Sequence, residues 1–384
     1  MGVHKNRLFI QEIVSNEKAV EELLEYSRNR FLEEQKDVST ANEEELYIEA
    51  WQRYANEAKD KGVFETLQEY FHQLKFPIDK GISGSEEYRN ATLRGRSVVS
   101  ESRLQLRHPE WLQLEIYESD LIGKVPVIVA PDQQDFYTLI CAFAHRNEPK
   151  DLPKSMGAVF INGLYNWDRI HQLKEHWLRQ NPFGTSWPNY FKQEVLPNPS
   201  LFKDKLMILS AKDYSNVKSD RLHISEKDWK NASLAIRREH ECAHLFTLKN
   251  YGCMNNNMHD ELIADYAGIV KALGHLDKNW MLHFLGLEEY PKYRKGGRLE
   301  NYQGNTKLSD AAFDGLKTLV KHAIDSIEQF DHSLGPISNS KDLMNRIISL
   351  CQVDLISMAL PSGFDTLVTE HFKHTKSLYY EGEE

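Results

Sequence analysis

Apolar residues recur every three or four positions among many charged residues at both ends of the chain, as they do in amphipathic helices. In the N-terminal part this spacing predicts helices over 8–35 and 43–74, separated by a polar stretch over 34–42. Gly62 is the candidate point of division in the second of these helices. After residue 270 the same spacing predicts four more helices, over 279–285, 308–330, 342–352 and 365–373.

Between about 95 and 210 the pattern changes to alternating apolar and polar residues or to short apolar runs. Alternation is typical of half-buried strands, and short apolar runs are typical of buried ones. We therefore predict a small mixed sheet with two helices between its strands. The predicted strands are 104–106, 112–116, 125–130, 158–161 and 206–210, and the predicted helices are 131–144 and 168–179.

A long stretch without Pro or Gly follows the predicted sheet and has helical spacing. Ser225 suits its N-cap, an acidic first turn follows, and Gly252 suits the residue after its last turn. Another helix is predicted to start near Met258. The chain as a whole is predicted to be α+β in three regions: a helical N-terminal region (1–94), a mixed α/β sheet subdomain (95–224), and the two helices just described with a helical C-terminal subdomain (225–384).

The first of these two helices carries His-Glu-x-x-His from His240 to His244, and the second carries Glu-x-x-x-Asp from Glu261. Residues four apart lie on one helix face, so the two histidines can present imidazole nitrogens to a single ion. Glu261 can supply a carboxylate ligand, and Glu241 lies close enough to touch a water on that ion. Two His, one carboxylate and an open position are typical of a catalytic zinc site.

This pair of motifs resembles that of the gluzincins, the branch of the zincin metallopeptidases that includes thermolysin-like enzymes. The resemblance covers about residues 225–270. It implies that His240, His244 and Glu261 bind the metal, that Glu241 is the general base, and that Asp265 orients a ligand histidine. The sixteen residues between His244 and Glu261 are slightly fewer than in the best-known gluzincins, which predicts a short loop between the two helices.

The resemblance also implies a zincin-like core, in which a small sheet lies beside the metal helix. An edge strand of that sheet would hold the substrate backbone by strand addition. Either 206–210 or 158–161 is the candidate for this edge strand, and the alternative for each is a buried interior strand.

Several of these positions also have a plainer interpretation. Glu241 is alternatively a solvated glutamate, and Asp265 alternatively forms an ordinary salt bridge, for which Arg237 or Arg238 is the candidate partner. Cys242 points to the opposite face of the helix and is predicted to be a small buried residue rather than a ligand.

Attack on a carbonyl at such a site makes an oxyanion, which a Tyr, His or Arg donor usually stabilises. A basic loop with two glycines follows the second metal helix, over 290–302. Its Arg298 and Tyr302 are the candidates for stabilising the oxyanion or binding a substrate carboxylate. The alternative is a solvated basic loop.

The composition narrows the class of protein. A net charge of −10 over 384 residues argues against nonspecific nucleic-acid binding, which needs clustered Lys and Arg. Apolar runs are too short to predict a membrane span or a secretory signal. Four widely spaced cysteines suit free thiols in a reducing compartment, so we predict a cytoplasmic protein.

The sequence therefore predicts a cytoplasmic zinc metallopeptidase that acts on a peptide or protein substrate, and it leaves the oligomeric state open. One alternative is a zincin-fold metalloenzyme with a small or modified-peptide substrate. Another is a noncatalytic interaction protein that the metal stabilises. This last hypothesis predicts a fourth protein ligand that closes the coordination sphere.

Overall fold

The computed structural model describes residues 2–33, 44–97, 103–182, 186–253, 257–304 and 307–380. The fold is α+β, with many helices and one four-stranded mixed sheet. The predicted polar break at 34–42 lies outside the described residues. The described helices are α1 (Gly2–Ile13), α2 (Glu17–Tyr26), α3 (Ile48–Lys61), α4 (Val63–Tyr70), α5 (Glu86–Arg94), α6 (Gln133–Ala144), α7 (Trp167–Gln180), α8 (Trp187–Tyr190), α9 (Glu226–Tyr251), α10 (Met258–Leu273), α11 (Lys278–Leu285), α12 (Asp310–Leu334), α13 (Ser340–Gln352), α14 (Leu355–Ala359) and α15 (Gly363–Tyr380). The strands are β1 (Gln113–Ser119), β2 (Gly123–Ala130), β3 (Ala158–Tyr165) and β4 (Lys203–Ser210).

Contacts along the chain define two compact units. The first unit comprises the described residues of 1–42, 120–122 and 213–384, and the second comprises those of 43–119 and 123–212. These units differ from the three regions predicted by pattern, because α1 and α2 pack with the C-terminal helices rather than with α3 and α4.

Capping residues explain how the N-terminal helices differ from the prediction. The single helix predicted over 8–35 is two helices, because the Asn16 side chain accepts hydrogen bonds from the backbone N–H groups of Lys18 and Ala19 and starts α2. Gly62, with φ of +93°, divides α3 from α4, which confirms that prediction. Helix α5 was not predicted, although Ser85 caps its first turn.

The sheet belongs to the second unit and has the strand order β1-β2-β4-β3. Strands β1 and β2 are antiparallel, β2 and β4 are parallel, and β4 and β3 are antiparallel. Of the two candidate edge strands, β3 lies at the edge of the sheet, whereas β4 is an interior strand because it is paired on both sides. Residues 104–106 are not a strand. Helices α3 and α6 pack on this sheet around Trp51, Phe136 and Ile208.

The first unit contains the helix pair α9 and α10, which pack closely against each other. Residues 258–270 of α10 are all buried, so this helix lies inside the core of the unit. A Cβ atom at Gly268 would lie 2.7 Å from the carbonyl oxygen of Ile236 on α9, so only glycine permits this approach. Among the described helices, none combines the length and the apolar character that crossing a bilayer requires.

Candidate metal centre

Helix α9 extends between the two predicted caps, which places the histidine motif well inside it. The Ser225 hydroxyl accepts a hydrogen bond from the Asp228 backbone N–H at 3.1 Å, and Gly252 follows the last turn with φ of +70°. His240 and His244 are only 5% and 8% exposed. Both imidazoles are therefore held in the interior, on the same helix face.

Helix α10 brings Glu261 to the two imidazoles. The Nε2 atoms of His240 and His244 are 3.1 Å apart. The carboxylate oxygens of Glu261 lie 3.6 Å from His240 Nε2 and 3.4 Å from His244 Nε2. Ligand atoms about 2.0–2.1 Å from a tetrahedral zinc ion are about 3.3 Å from one another. This buried group could therefore hold a metal ion.

The other ring nitrogen of each histidine faces a carboxylate. His240 Nδ1 is 3.0 Å from Asp265 Oδ1, as the resemblance implied, and 2.8 Å from the Tyr214 hydroxyl oxygen. His244 Nδ1 is 3.3 Å from Asp260 Oδ2. The Asp265 carboxylate favours a proton on His240 Nδ1, which leaves the Nε2 lone pair of His240 directed toward Glu261. At His244 the Asp260 carboxylate lies close enough to Nδ1 for an electrostatic contact.

Burial and charge shift the titration of these groups in opposite directions. Burial raises the pKa of Asp265, but the Arg298 guanidinium and His240 outweigh it and hold that pKa below its usual range. Burial likewise raises the pKa of Glu261. The opposite effect of His244, His240 and Arg298 is larger, so the pKa lies below its ordinary value. For His244 burial lowers the pKa, but the Asp260 and Glu261 carboxylates raise it well above the ordinary value.

The charge of the cluster fits a divalent cation. Asp260, Glu261 and Asp265 are each less than 5% exposed, and the adjacent cation is Arg298. With neutral imidazoles, as in a metal-bound site, these three carboxylates and the Arg298 guanidinium carry a formal charge of −2. Without a metal, the proton that His244 retains because of its raised pKa offsets part of that charge. In addition, Glu261 Oε2 is buried without a hydrogen-bond partner. A divalent ion would balance the carboxylate charge and would be bound by this oxygen.

Arg298 lies beside the ligands and contacts the groups that support them. Its Nη1 donates to the Tyr214 hydroxyl at 2.6 Å, and its Nη2 pairs with Asp265. The same nitrogen is 3.4 Å from Glu261 Oε2. The alternative of a solvated basic loop does not hold for Arg298 itself, because its side chain is only 13% exposed. This geometry favours support of Asp265 over direct contact with an oxyanion.

Tyr302 and Glu241 are the remaining predicted site residues. Burial and then the Glu261 carboxylate raise the pKa of the Tyr302 phenol well above its ordinary value, so the phenol keeps its proton. The Tyr302 backbone carbonyl accepts from Tyr26, whose hydroxyl also accepts from the Met258 N–H at the start of α10. Glu241 is half-buried beside His240. Its role as a base stays a prediction.

The family model that matches the chain spans residues 8–362, which is most of its length, and is described as a family of unknown function, DUF7005. The chain belongs to this family. No curated protein and no solved structure matches the chain. A functional hypothesis for this DUF7005 member must therefore rest on the chemistry of its own residues.

Two residues that lie against the histidines, Asp260 and Tyr214, were not predicted from the sequence. Asp260 directly precedes Glu261 at the start of α10, where an acidic residue is also expected simply to favour a helix N-terminus. Tyr214 lies 26 residues before His240, on a turn that precedes α9. No spacing rule connects it to the motif. Cys242 is fully buried, as predicted, and is not a member of the candidate metal group.

Proposed function

We propose that the protein is a zinc-dependent hydrolase, specifically a metallopeptidase with a zincin-like core that cleaves peptide or amide bonds. The observation that carries this proposal is the convergence of His240 Nε2, His244 Nε2 and the Glu261 carboxylate at 3.1–3.6 Å from one another. Two nitrogens and one carboxylate are the donors that catalytic zinc sites use. The resemblance of the two motifs to those of the gluzincins supports the same chemistry.

When bound in such a site, zinc lowers the pKa of a water toward neutrality and polarises a carbonyl group. Glu241 follows the ligand His240 on α9 and is half-buried, which suits a general base. It would take one proton from the attacking water while the water oxygen bonds to the carbonyl carbon. It would then give that proton to the leaving nitrogen as the C–N bond breaks, so that atoms and charge balance.

The number of ligands supports catalysis over a purely structural metal. A structural zinc site is closed by four protein ligands, whereas a catalytic site has three and an open position. Across the part of the chain that the structure describes, the group that could hold an ion consists of His240, His244 and Glu261. Three ligands leave room for such an open position. The substrate that we propose is a peptide or protein, with a small or modified-peptide substrate as the alternative.

The test measures zinc content and hydrolysis of a mixed peptide library for the natural sequence and for Glu241→Gln. We expect the variant to keep its zinc and lose turnover, because glutamine cannot accept the proton. Glu226→Gln is the matched control, since Glu226 lies exposed in the first turn of the same helix. Equal turnover in Glu241→Gln, or a natural sequence that binds zinc without cleaving any library member, would contradict the proposal.

A further inference from the structure

The turn that carries Tyr214 has an unusual backbone and is fixed to α9. Ser215 and Asn216 have φ of +51° and +55°, in the left-handed region that residues other than glycine rarely adopt. The Tyr214 N–H donates to the Ser233 hydroxyl at 3.1 Å, and the Trp229 indole donates to the Val217 carbonyl at 2.8 Å. Such conformations persist where surrounding contacts enforce them, often beside functional sites.

The Tyr214 phenol connects three groups at the candidate metal centre. It donates to Asp265 Oδ1 at 2.7 Å and accepts from Arg298 Nη1 at 2.6 Å. It also lies 2.8 Å from His240 Nδ1. Because Arg298 Nη2 pairs with Asp265 as well, Tyr214, Asp265 and Arg298 form a closed ring of hydrogen bonds against the imidazole. The single hydrogen and both lone pairs of the phenol are used.

We infer that Tyr214 is a positioning residue for the metal ligand His240, and that Arg298 acts through Tyr214 and Asp265. The inference rests on the proposed zinc site. An imidazole can rotate about its Cβ–Cγ bond and can carry its proton on either nitrogen. Two acceptors at Nδ1 fix both choices and aim the Nε2 lone pair at the metal position. Asp265 alone could turn away, whereas Tyr214 and Arg298 each hold one of its oxygens.

The surroundings of the ring allow the hydroxyl to be tested separately from packing. The Tyr214 ring packs edge-on against Phe284 with centroids 4.9 Å apart. The guanidinium carbons of Arg237 and Arg298 lie 5.5 and 5.1 Å from its centroid. Phenylalanine retains these ring contacts and lacks only the hydroxyl group, so Tyr214→Phe measures the effect of the hydrogen bonds separately from that of packing.

A second buried tyrosine provides a matched control. The Tyr266 hydroxyl donates to Asp331 Oδ1 at 2.7 Å, and Arg346 Nη1 donates to the same oxygen at 3.0 Å. This Tyr-Asp-Arg cluster is in the same unit as Tyr214, and these hydrogen bonds involve none of the proposed metal ligands. Tyr266→Phe therefore removes an equivalent hydrogen bond away from the metal group.

The experiment measures the zinc dissociation constant by chelator competition and the absorption spectrum of the cobalt-loaded protein. Loss of a hydrogen bond that supports a metal ligand typically weakens affinity about 10–100-fold. We expect that loss, and an altered cobalt spectrum at full occupancy, for Tyr214→Phe. We expect zinc affinity within about twofold of the natural protein, and an unchanged spectrum, for Tyr266→Phe.

The outcomes separate this inference from the proposed function. If the natural protein binds no zinc, the proposed metal site itself fails. If it binds zinc and Tyr214→Phe binds equally well with the same spectrum, only the positioning role is overturned. Should Tyr214→Phe fail to fold, Arg298→Gln with Arg346→Gln as its control makes the same comparison. Equal zinc affinity in those two variants would overturn the inference.

Discussion

Replacing Gly268 by alanine should weaken metal binding although no residue of the candidate site is itself changed. Gly268 lies seven residues after Glu261 on α10, about 10 Å along the helix axis. Its closest neighbour is Ile236 on α9, one turn before His240. The substitution therefore acts at the contact that sets the spacing of the two helices, and hence of the ligands that they carry.

The size of the effect follows from that contact. An added Cβ would lie 2.7 Å from the Ile236 carbonyl oxygen, whereas ordinary contacts begin at 3.4 Å. The backbones must therefore separate locally by about 0.7 Å, while metal–ligand distances tolerate only about 0.2 Å. We expect zinc affinity to fall at least about tenfold, equivalent to about 1.4 kcal/mol. Overpacking costs about 1–3 kcal/mol of stability, and the helix propensity of alanine offsets about 1 kcal/mol of it.

Zinc affinity by chelator competition and thermal unfolding of the metal-free protein measure the two effects. Gly315→Ala on α12 is the matched control, because its added Cβ would lie 2.7 Å from the side chains of Leu23 on α2 and of Val14 just after α1, none of which is a residue of the candidate site. It should leave zinc affinity within about twofold. If Gly268→Ala binds zinc as tightly as the natural protein, the close approach of α9 and α10 does not set the ligand geometry.

Three further outcomes are expected. Asp260→Ala should weaken zinc binding about 10–100-fold in the same competition assay, because His244 Nδ1 loses its nearby carboxylate, and unchanged affinity would refute that role. Zinc affinity should fall as pH falls, because Asp260 and Glu261 raise the pKa of His244 and the retained proton competes with the metal. A zinc dissociation constant that stays the same between about pH 6 and 8 would contradict this. Gly95→Ala should lower the unfolding free energy by about 2–5 kcal/mol in denaturant titration, since Gly95 has φ of +63° and an added Cβ would lie 2.3 Å from the Trp167 ring. An unchanged denaturation midpoint would show that the turn relaxes easily.

Local patterns predicted the helices that carry the candidate site. The caps Ser225 and Gly252 bound α9 as expected, because capping depends on side chains within one turn of the helix end. Asn16 was not recognised as a cap, so α1 and α2 were merged into a single helix. The sequence left open whether 158–161 or 206–210 is the edge strand, since an interior strand and an edge strand of similar apolar character differ only in their neighbours.

The order of residues by itself determined that two imidazoles share a face of α9 and that a carboxylate follows on the next helix. Helical periodicity is a local property, so the shared helix face of His240 and His244 could be predicted without knowing the fold. Only the tertiary structure decided which groups support them, namely Asp260, and Tyr214 with Arg298 around Asp265. These partners come from different elements, and their meeting depends on the packing of helices and turns around a common core.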